Sequence, residues 1–158
     1  MRKLQRKFER PTRTWDKSRI EEEKGIMKSY GLRRKKELWR AESILREYRR
    51  LARELSAEKN HEKEKILLDK LFKMGLVPKD ADLDQVLALN IHSILDRRLQ
   101  TVVFKKGLAK TSREARQYIV HGHISFDGRK AKWPSTLVHL GGEDKISFHE
   151  KSKIGVKS

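Results

Sequence analysis

The sequence predicts an α+β fold in which a mainly helical N-terminal region precedes a small helix-helix-β-sheet module. Apolar residues recur at helical spacing through most of residues 15–106. Beyond residue 122, short apolar segments are separated by turn-forming residues, which is typical of short strands. The expected organisation is a basic extended arm at 1–14, a helical region at 15–95, the module at 96–150 and a flexible basic tail at 151–158.

Capping residues and glycines mark the expected helix boundaries. Asp16 suits the N-cap of the first helix, which should end at Gly31. The second helix combines an apolar stripe with many arginines on its other faces. The third should end near Gly75, ahead of the helix-breaking Val77-Pro78 pair. Helices are therefore expected at 16–30, 35–55, 58–74, 83–89 and 91–106.

Within the module, Thr111-Ser112-Arg113-Glu114 fits a capping box and predicts a helix that ends at Gly122. A strand at Ile124-Ser125-Phe126, a turn at Asp127-Gly128 and a second strand at Arg129-Lys130-Ala131 should follow. Two more strands are expected at 136–139 and 145–148. The helix, its N-terminal loop and the first strand can then share one surface.

The charge of the chain indicates a polyanionic partner. Lys and Arg number 39 against 22 Asp and Glu, which gives a formal net charge of +17 and a pI near 10.2. The excess lies in residues 1–14, 28–53 and 97–132, whereas residues 54–96 contain six lysines and nine acids. Separate basic blocks suggest separate contact surfaces. The arm should order only against its partner.

Several classes of protein are disfavoured by composition. The absence of cysteine excludes disulfides, thiolate metal sites and Cys nucleophiles, and is compatible with the cytosol. No uncharged apolar run approaches the roughly 20 residues that span a membrane. We find neither a Gly-rich phosphate loop nor a nucleophile and base in recognisable spacing, so an enzyme is not expected.

The module helix carries the features of a nucleic-acid surface. Arg113, Gln117 and His121 repeat every four residues with Arg116 beside them, so one helix face is polar and cationic. The exposed amides of the helix start, flanked by Lys110, Thr111 and Ser112, could hold a phosphate. Duplex RNA would be recognised there through backbone shape and 2′-hydroxyls rather than base sequence.

These residues also resemble a known family, that of ribosomal protein four of the small subunit. The match in the module comprises 98–104 (RLQTVVF), 108–111 (LAKT), 115–117 (ARQ), Ile119, 121–124 (HGHI) and 127–128 (DG). The archaeal form of the family is further resembled at 15–16 (WD), 19–23 (RIEEE) and 38–43 (LWRAES). The resemblance therefore covers nearly the whole chain.

The resemblance implies an RNA-binding module of the alpha-L type in a structural, ribosome-bound cytoplasmic protein. Such a protein is a primary binder of a multi-helix junction in the 5′ domain of 16S-type ribosomal RNA and nucleates subunit assembly. It lines the region where messenger RNA enters, with a role in translational accuracy. The partners implied are small-subunit ribosomal RNA, neighbouring small-subunit proteins and messenger RNA, without membrane or small-molecule substrate. No cofactor is expected, and no metal, because the cysteines of the zinc site in some bacterial relatives are absent.

The candidate RNA-binding residues combine the family match with the basic blocks. Arg98, Arg113, Arg116 and Gln117 match the RNA-contacting face of the family, and nearby lysines are expected to contact phosphates. For His121 and His123, packing within the protein and RNA contact are equally favoured. The full set is Arg40, Arg46, Arg49, Arg50, Arg53, Arg97, Arg98, Lys105, Lys106, Lys110, Thr111, Ser112, Arg113, Arg116, Gln117, His121, His123, Arg129 and Lys130.

The tryptophans have a structural interpretation. Trp39 is expected between helices of the N-terminal half, and Trp133-Pro134-Ser135 is more often a packed turn than a platform for stacking bases.

Two alternatives to a ribosomal protein remain at this point. One is a free regulatory RNA-binding protein, and the other is the RNA-binding fragment of an RNA-modifying enzyme.

Overall fold

Seven helices and then three short strands make up the part of the chain that the computed structural model describes, residues 8–152. The α+β prediction is confirmed. The helices are α1 (Lys17–Ser29), α2 (Lys35–Glu58), α3 (His61–Lys73), α4 (Leu83–Ala88), α5 (Ile91–Asp96), α6 (Leu99–Lys105) and α7 (Ser112–Val120). The strands are β1 (Ile124–Phe126), β2 (Arg129–Lys130) and β3 (Ile146–Phe148).

The N-terminal helices pack around α2. Its apolar stripe, Leu38, Ala41, Leu45, Tyr48 and Ala52, is buried. These side chains join residues of α3, α4 and α5 in one hydrophobic cluster whose buried members run from Leu32 to Leu95. The helix therefore turns its apolar stripe inward, as predicted, and leaves its arginines at or near the surface.

Local signals start and end α1 as predicted. The Asp16 carboxylate accepts a hydrogen bond from the Arg19 amide at 3.4 Å, and the chain leaves the helix at Gly31, whose φ is +60°. Trp39 joins α1 to α2, because its indole N–H donates to the buried carboxylate of Glu23 at 3.0 Å. The interpretation of Trp39 as a residue between helices is confirmed.

One predicted helix is two helices. Residues 91–106 were expected to be continuous, but α5 ends at Asp96 and α6 begins at Leu99. At the break the Leu99 amide donates to the Thr136 carbonyl at 2.7 Å, and the Val138 amide donates to the Arg97 carbonyl at 2.8 Å. Pairing with a distant segment supplies the hydrogen bonds that the helix would have made.

The same pairing explains a missing strand. Residues 136–139 were expected to form one, but they make only a single antiparallel bridge, between Leu137 and Arg98. The described sheet has three strands in the order β2-β1-β3, all antiparallel. Together with α6 and α7 it encloses a second hydrophobic cluster, whose buried members include Leu99, Ile119 and Ile124. The module thus has its own core.

Part of the N-terminal arm contacts helix α2. Phe8 lies against Trp39 with ring centroids 6.1 Å apart, and the Glu9 amide donates to Ser43 Oγ at 3.1 Å. These contacts place Phe8 and Glu9 against α2, and the ordering of the arm by a partner stays a prediction. The rest of the predicted arm, residues 1–7, and most of the predicted tail, residues 153–158, lie outside the described residues. From 8 to 152, no helix combines the length and apolar character needed to cross a membrane.

Gly31 is expected to be intolerant of a side chain. Its φ is +60°, and an added Cβ would lie 2.7 Å from Ser112 Oγ and 3.1 Å from Gln100 Nε2. We expect Gly31→Ala to lower the free energy of unfolding by about 2 kcal/mol, since an L residue in this conformation costs about 1–2 kcal/mol before any steric overlap. Urea unfolding followed by circular dichroism measures this change.

Gly25→Ala is the matched control for this substitution. Gly25 lies within α1, and an added Cβ there would meet nothing within 4 Å. The control should raise the free energy of unfolding by about 0.5–1 kcal/mol, because alanine is the better helix former. Equal effects at the two glycines would contradict the packing described for Gly31.

Candidate nucleic-acid interface

Helix α7 begins as a capped helix. Thr111 Oγ1 accepts from the Glu114 amide at 3.1 Å, while the Glu114 carboxylate accepts from the Lys110 amide at 2.6 Å and from Tyr118 Oη at 2.6 Å. These hydrogen bonds, that from Tyr118 above all, lower the pKa of Glu114. The capping box is confirmed, although the carboxylate reaches Lys110 instead of Thr111. Two amides of the expected phosphate site are thus occupied, and phosphate binding there stays a prediction.

Five of the predicted residues are exposed on α7, at its C-terminal end and on the hairpin that follows it. Arg113 and Gln117 on successive turns of α7, and His121 at its C-cap, are exposed. The turn at Asp127 and Gly128 has positive φ at both positions and leads into Arg129 and Lys130, which are exposed on β2. We call Arg113, Gln117, His121, Arg129 and Lys130 the module face.

The hairpin lies beside the end of α7. A Cβ added at Gly122 would lie 3.9 Å from Lys130 Cδ, so the Lys130 side chain reaches across this glycine. The cations Arg113, Arg129 and Lys130 form no ion pair with any side chain from 8 to 152. Their charge is therefore available to an anionic partner.

Glu37 of α2 lies between two arginines of the module. Its carboxylate accepts from Arg116 Nη1 and Nη2 at 2.9 and 3.0 Å and from Arg98 Nη2 at 2.6 Å. Arg116 Nη1 also donates to Gln100 Oε1 at 3.2 Å. Burial alone would raise the pKa of Glu37, but the hydrogen bonds and charges of Arg116 and Arg98 outweigh it and hold this pKa below its ordinary value. We call Glu37, Arg98, Gln100 and Arg116 the Glu37 cluster.

This cluster changes the interpretation of two predicted RNA contacts. Arg98 is only 5% exposed, and burial lowers the pKa of its guanidinium. Arg116 is half-buried and forms a bidentate pair with Glu37. Both side chains turn inward because a carboxylate from another part of the chain holds them. Arg98 thus lies in the interior and Arg116 lies half-buried beside Glu37, and RNA contact by these two arginines stays a prediction.

Three other predicted cations approach different parts of the module. Arg97 pairs with Glu143 and donates to the Val138 carbonyl from Nη2 at 2.9 Å, with its side chain 14% exposed. Lys105 Nζ lies 3.0 Å from Asp96 Oδ2, and Lys106 Nζ donates to a carbonyl of β3 at 3.5 Å. The two lysines are exposed, but their ammonium groups approach α5 and β3 rather than the start of α7.

The arginines of α2 form a second basic surface. Glu9 pairs with Arg46, Glu54 pairs with Arg50, and the half-buried Arg49 donates to the Leu89 carbonyl at 2.5 Å. A helix rises about 1.5 Å per residue, so the far end of this surface lies about 24 Å along α2 from Glu37. We call it the α2 stripe, and it consists of Arg40, Arg46, Arg49, Arg50 and Arg53.

Sequence reasoning missed two exposed arginines beside α7. Arg33 and Arg34 follow Gly31 and Leu32, and a Cβ added at Gly31 would lie 2.7 Å from Ser112 Oγ at the start of α7. They belong to the basic block at 28–53, but they lie between helices, where helical periodicity does not single out a residue. The signal that could have found them is that the loop directly before the basic helix α2 carries two adjacent arginines.

The two histidines, for which packing and RNA contact were equally expected, differ in their surroundings. His123 is half-buried, its Nδ1 lies 3.2 Å from Ser152 Oγ, and its ring packs edge-on against Tyr118 at 6.1 Å. His121 is exposed on the module face. His123 is therefore packed within the protein. Among residues 8–152, no group of three or more His, Asp or Glu side chains is arranged to hold a metal ion.

Comparison with known proteins defines the class of the module and then the family of the chain. Residues 97–144 match the family model described as the S4 domain. The chain is 44% identical over 156 residues to "Small ribosomal subunit protein uS4" of Methanothermobacter thermautotrophicus. The matched stretch covers 97% of this chain and 91% of the relative. The chain belongs to the uS4 family of small ribosomal subunit proteins.

Other archaeal relatives with the same name match over similar lengths. The protein of Sulfurisphaera tokodaii is 46% identical over 155 residues, or 96% of this chain and 88% of the relative. That of Nanoarchaeum equitans is 47% identical over 154 residues, which is 94% of this chain and 85% of the relative. The resemblance to the archaeal form of the family is confirmed, as is the prediction of a non-enzymatic protein, since these relatives are ribosomal proteins.

Proposed function

We propose that this chain is a structural constituent of the small ribosomal subunit that binds the RNA of that subunit. The observation that carries the proposal is the similarity to archaeal small-subunit proteins over 94–97% of the chain. The unpaired cations of the module face support it, because phosphate contacts dominate the affinity of proteins for nucleic acids. The protein would act in the cytoplasm, bound to the ribosome.

The module face and the α2 stripe would contact RNA at two separate places. Arg33 and Arg34 would extend the module face toward α2. A protein with two separate basic surfaces suits a junction in which several RNA helices meet, and we propose the junction of the 5′ domain of 16S-type ribosomal RNA. Binding there would nucleate subunit assembly.

Finer parts of the proposal concern the surroundings of the protein in the subunit. We propose that it contacts neighbouring small-subunit proteins and messenger RNA near the point where the messenger enters, and that it contributes to translational accuracy. Chemical footprinting of assembled subunits, with and without this protein, tests these contacts. Protection confined to the 5′ domain would restrict the role to assembly.

Binding to a 5′-domain transcript should depend on the module face. We expect Arg113→Ala combined with Lys130→Ala to weaken binding at least about tenfold at low salt. The slope of log affinity against log salt should fall by roughly 2, because two phosphate contacts are lost. Filter binding across a salt series measures both quantities. Arg116 is left unchanged because its pairing with Glu37 would mix stability with affinity.

The matched control removes two cations elsewhere. Lys65 and Lys79 are exposed and lie in the stretch where acids outnumber lysines, so Lys65→Ala combined with Lys79→Ala changes the net charge equally. Affinity for the transcript should then change little. Equal losses in both double variants, or no preference of the wild type for the transcript over random-sequence duplex RNA, would reject the proposed function.

A further inference from the structure

Trp133 is an exposed side chain on a fixed loop. It is 75% exposed, so the expectation of a packed tryptophan is corrected, although the turn itself is present. The Trp133 carbonyl accepts from the Thr136 amide at 3.2 Å and from Thr136 Oγ1 at 3.0 Å. The next carbonyl, that of Pro134, accepts from the Gln100 amide at 3.3 Å. The backbone is thus tied to the start of α6 while the indole projects outward.

The surroundings of Trp133 combine apolar surface with positive charge. The indole borders an open depression of about 390 Å³, which Leu99 and Phe126 also line. The cations at its rim are Arg129, Lys130 and Lys132, all exposed. Of the residues lining the depression only Asp127 is acidic, and Lys145 Nζ lies 3.1 Å from its carboxylate. The charge therefore favours an anionic occupant.

The other two tryptophans do not share this arrangement. Trp39 is held between α1 and α2 through its hydrogen bond to Glu23. Trp15 is 90% exposed, but it lies just before α1, outside the module. Only Trp133 adjoins the module face, since Arg129 and Lys130 belong to both the face and the rim of the depression.

We infer that Trp133 is a stacking site for an unpaired nucleotide of the bound RNA. The base would lie against the indole, and the flanking phosphates would be held by Arg129 and Lys132. Aromatic faces stack on any base, whereas cations at the rim neutralise the backbone, and single-stranded RNA is recognised in this way. The inference rests on the proposed function and adds the class of ligand at one place, an unpaired base next to the helical junction.

Substitution at Trp133 separates stacking from charge. With the 5′-domain transcript as probe, Trp133→Leu should weaken binding roughly tenfold, the effect of losing one base-aromatic stack. The salt slope should not change, because no cation is removed. Trp133→Phe should bind within about threefold of the wild type, since it keeps an aromatic face. Lys132→Ala should lower the salt slope by about 1.

Trp15→Leu is the matched control, because it removes another exposed indole, one that lies outside the module, and its affinity should equal that of the wild type. The urea midpoint of Trp133→Leu should also be unchanged. If Trp133→Leu binds as tightly as the wild type while the wild type still prefers the transcript to duplex RNA, the stacking site is rejected and the proposed function stands. An equal loss in Trp133→Phe would likewise reject stacking. No preference in the wild type rejects both.

Discussion

Replacing Glu37 by glutamine should destabilise the protein by about 3 kcal/mol. The substitution keeps the shape of the side chain but removes the charge that faces both Arg98 and Arg116. Arg98 is 5% exposed, so its guanidinium would be left in the interior without a counterion and beside a second cation. Removal of one partner of a buried ion pair costs about 3–5 kcal/mol, and partial exposure of Glu37 favours the lower end. Urea unfolding at pH 7 measures the loss.

Glu47→Gln is the matched control on the same helix. Glu47 is exposed and forms no ion pair within the described part of the chain. A surface substitution of this kind should change the free energy of unfolding by less than about 0.5 kcal/mol. A loss at Glu37 no larger than that at Glu47 would show that Arg98 and Arg116 do not depend on this carboxylate.

The stabilisation by Glu37 should also depend on pH with a defined sign. The pKa of Glu37 is lower in the folded protein than its ordinary value of 4.5. A carboxyl group with a lowered folded pKa stabilises the fold fully above its unfolded pKa, and the stabilisation disappears as the pH falls through the folded pKa. The difference between wild type and Glu37→Gln should therefore be constant above about pH 5 and should shrink in stronger acid.

Replacing Gln100 by leucine should cost about 3 kcal/mol for a different reason. The Gln100 side chain is 1% exposed, and its Nε2 lies 3.1, 3.1 and 2.8 Å from the carbonyl oxygens of Tyr30, Gly31 and Ser112. Leucine fills similar space but donates nothing. Each buried polar group left without a partner costs about 1–3 kcal/mol. Calorimetry or urea unfolding measures the change.

Gln85→Leu gives the comparison for this substitution, because Gln85 is exposed on α4. We expect it to be nearly neutral. A neutral result at Gln100 as well would indicate that the three carbonyls find other donors. In that case the connection between the loop after α1 and the start of α7 would not depend on Gln100.

Local sequence signals predicted the elements whose hydrogen bonds are local. Asp16, Gly31 and the capping box at Thr111 mark helix ends through residues within a few positions of each other, and all three are confirmed. The break between α5 and α6 could not be found in this way. Arg97 and Arg98 look helical by periodicity, and only the backbone pairing of residues 97–99 with residues 136–138 interrupts the helix there.

The same distinction applies to the candidate RNA surface. Helical periodicity placed Arg113, Gln117 and His121 on one exposed face, as observed. It could not separate Arg116 from them, because the carboxylate that binds Arg116 lies 79 positions earlier in the chain. Charge counting identifies how many cations a segment has, but an ion pair inside the fold decides which of them an outside partner can reach.

The two hydrophobic clusters have a consequence for the order of events during synthesis. The buried members of the N-terminal cluster end at Leu95, and those of the module cluster begin at Leu99. A nascent chain therefore contains every buried side chain of the first cluster before any of the second. At about 5–20 residues per second, Arg116 is added roughly one to four seconds after Leu95. The growing chain acquires the α2 stripe first and the module face later, and the contact of Arg116 with Glu37 that joins α7 to α2 can form only after Arg116 has been added.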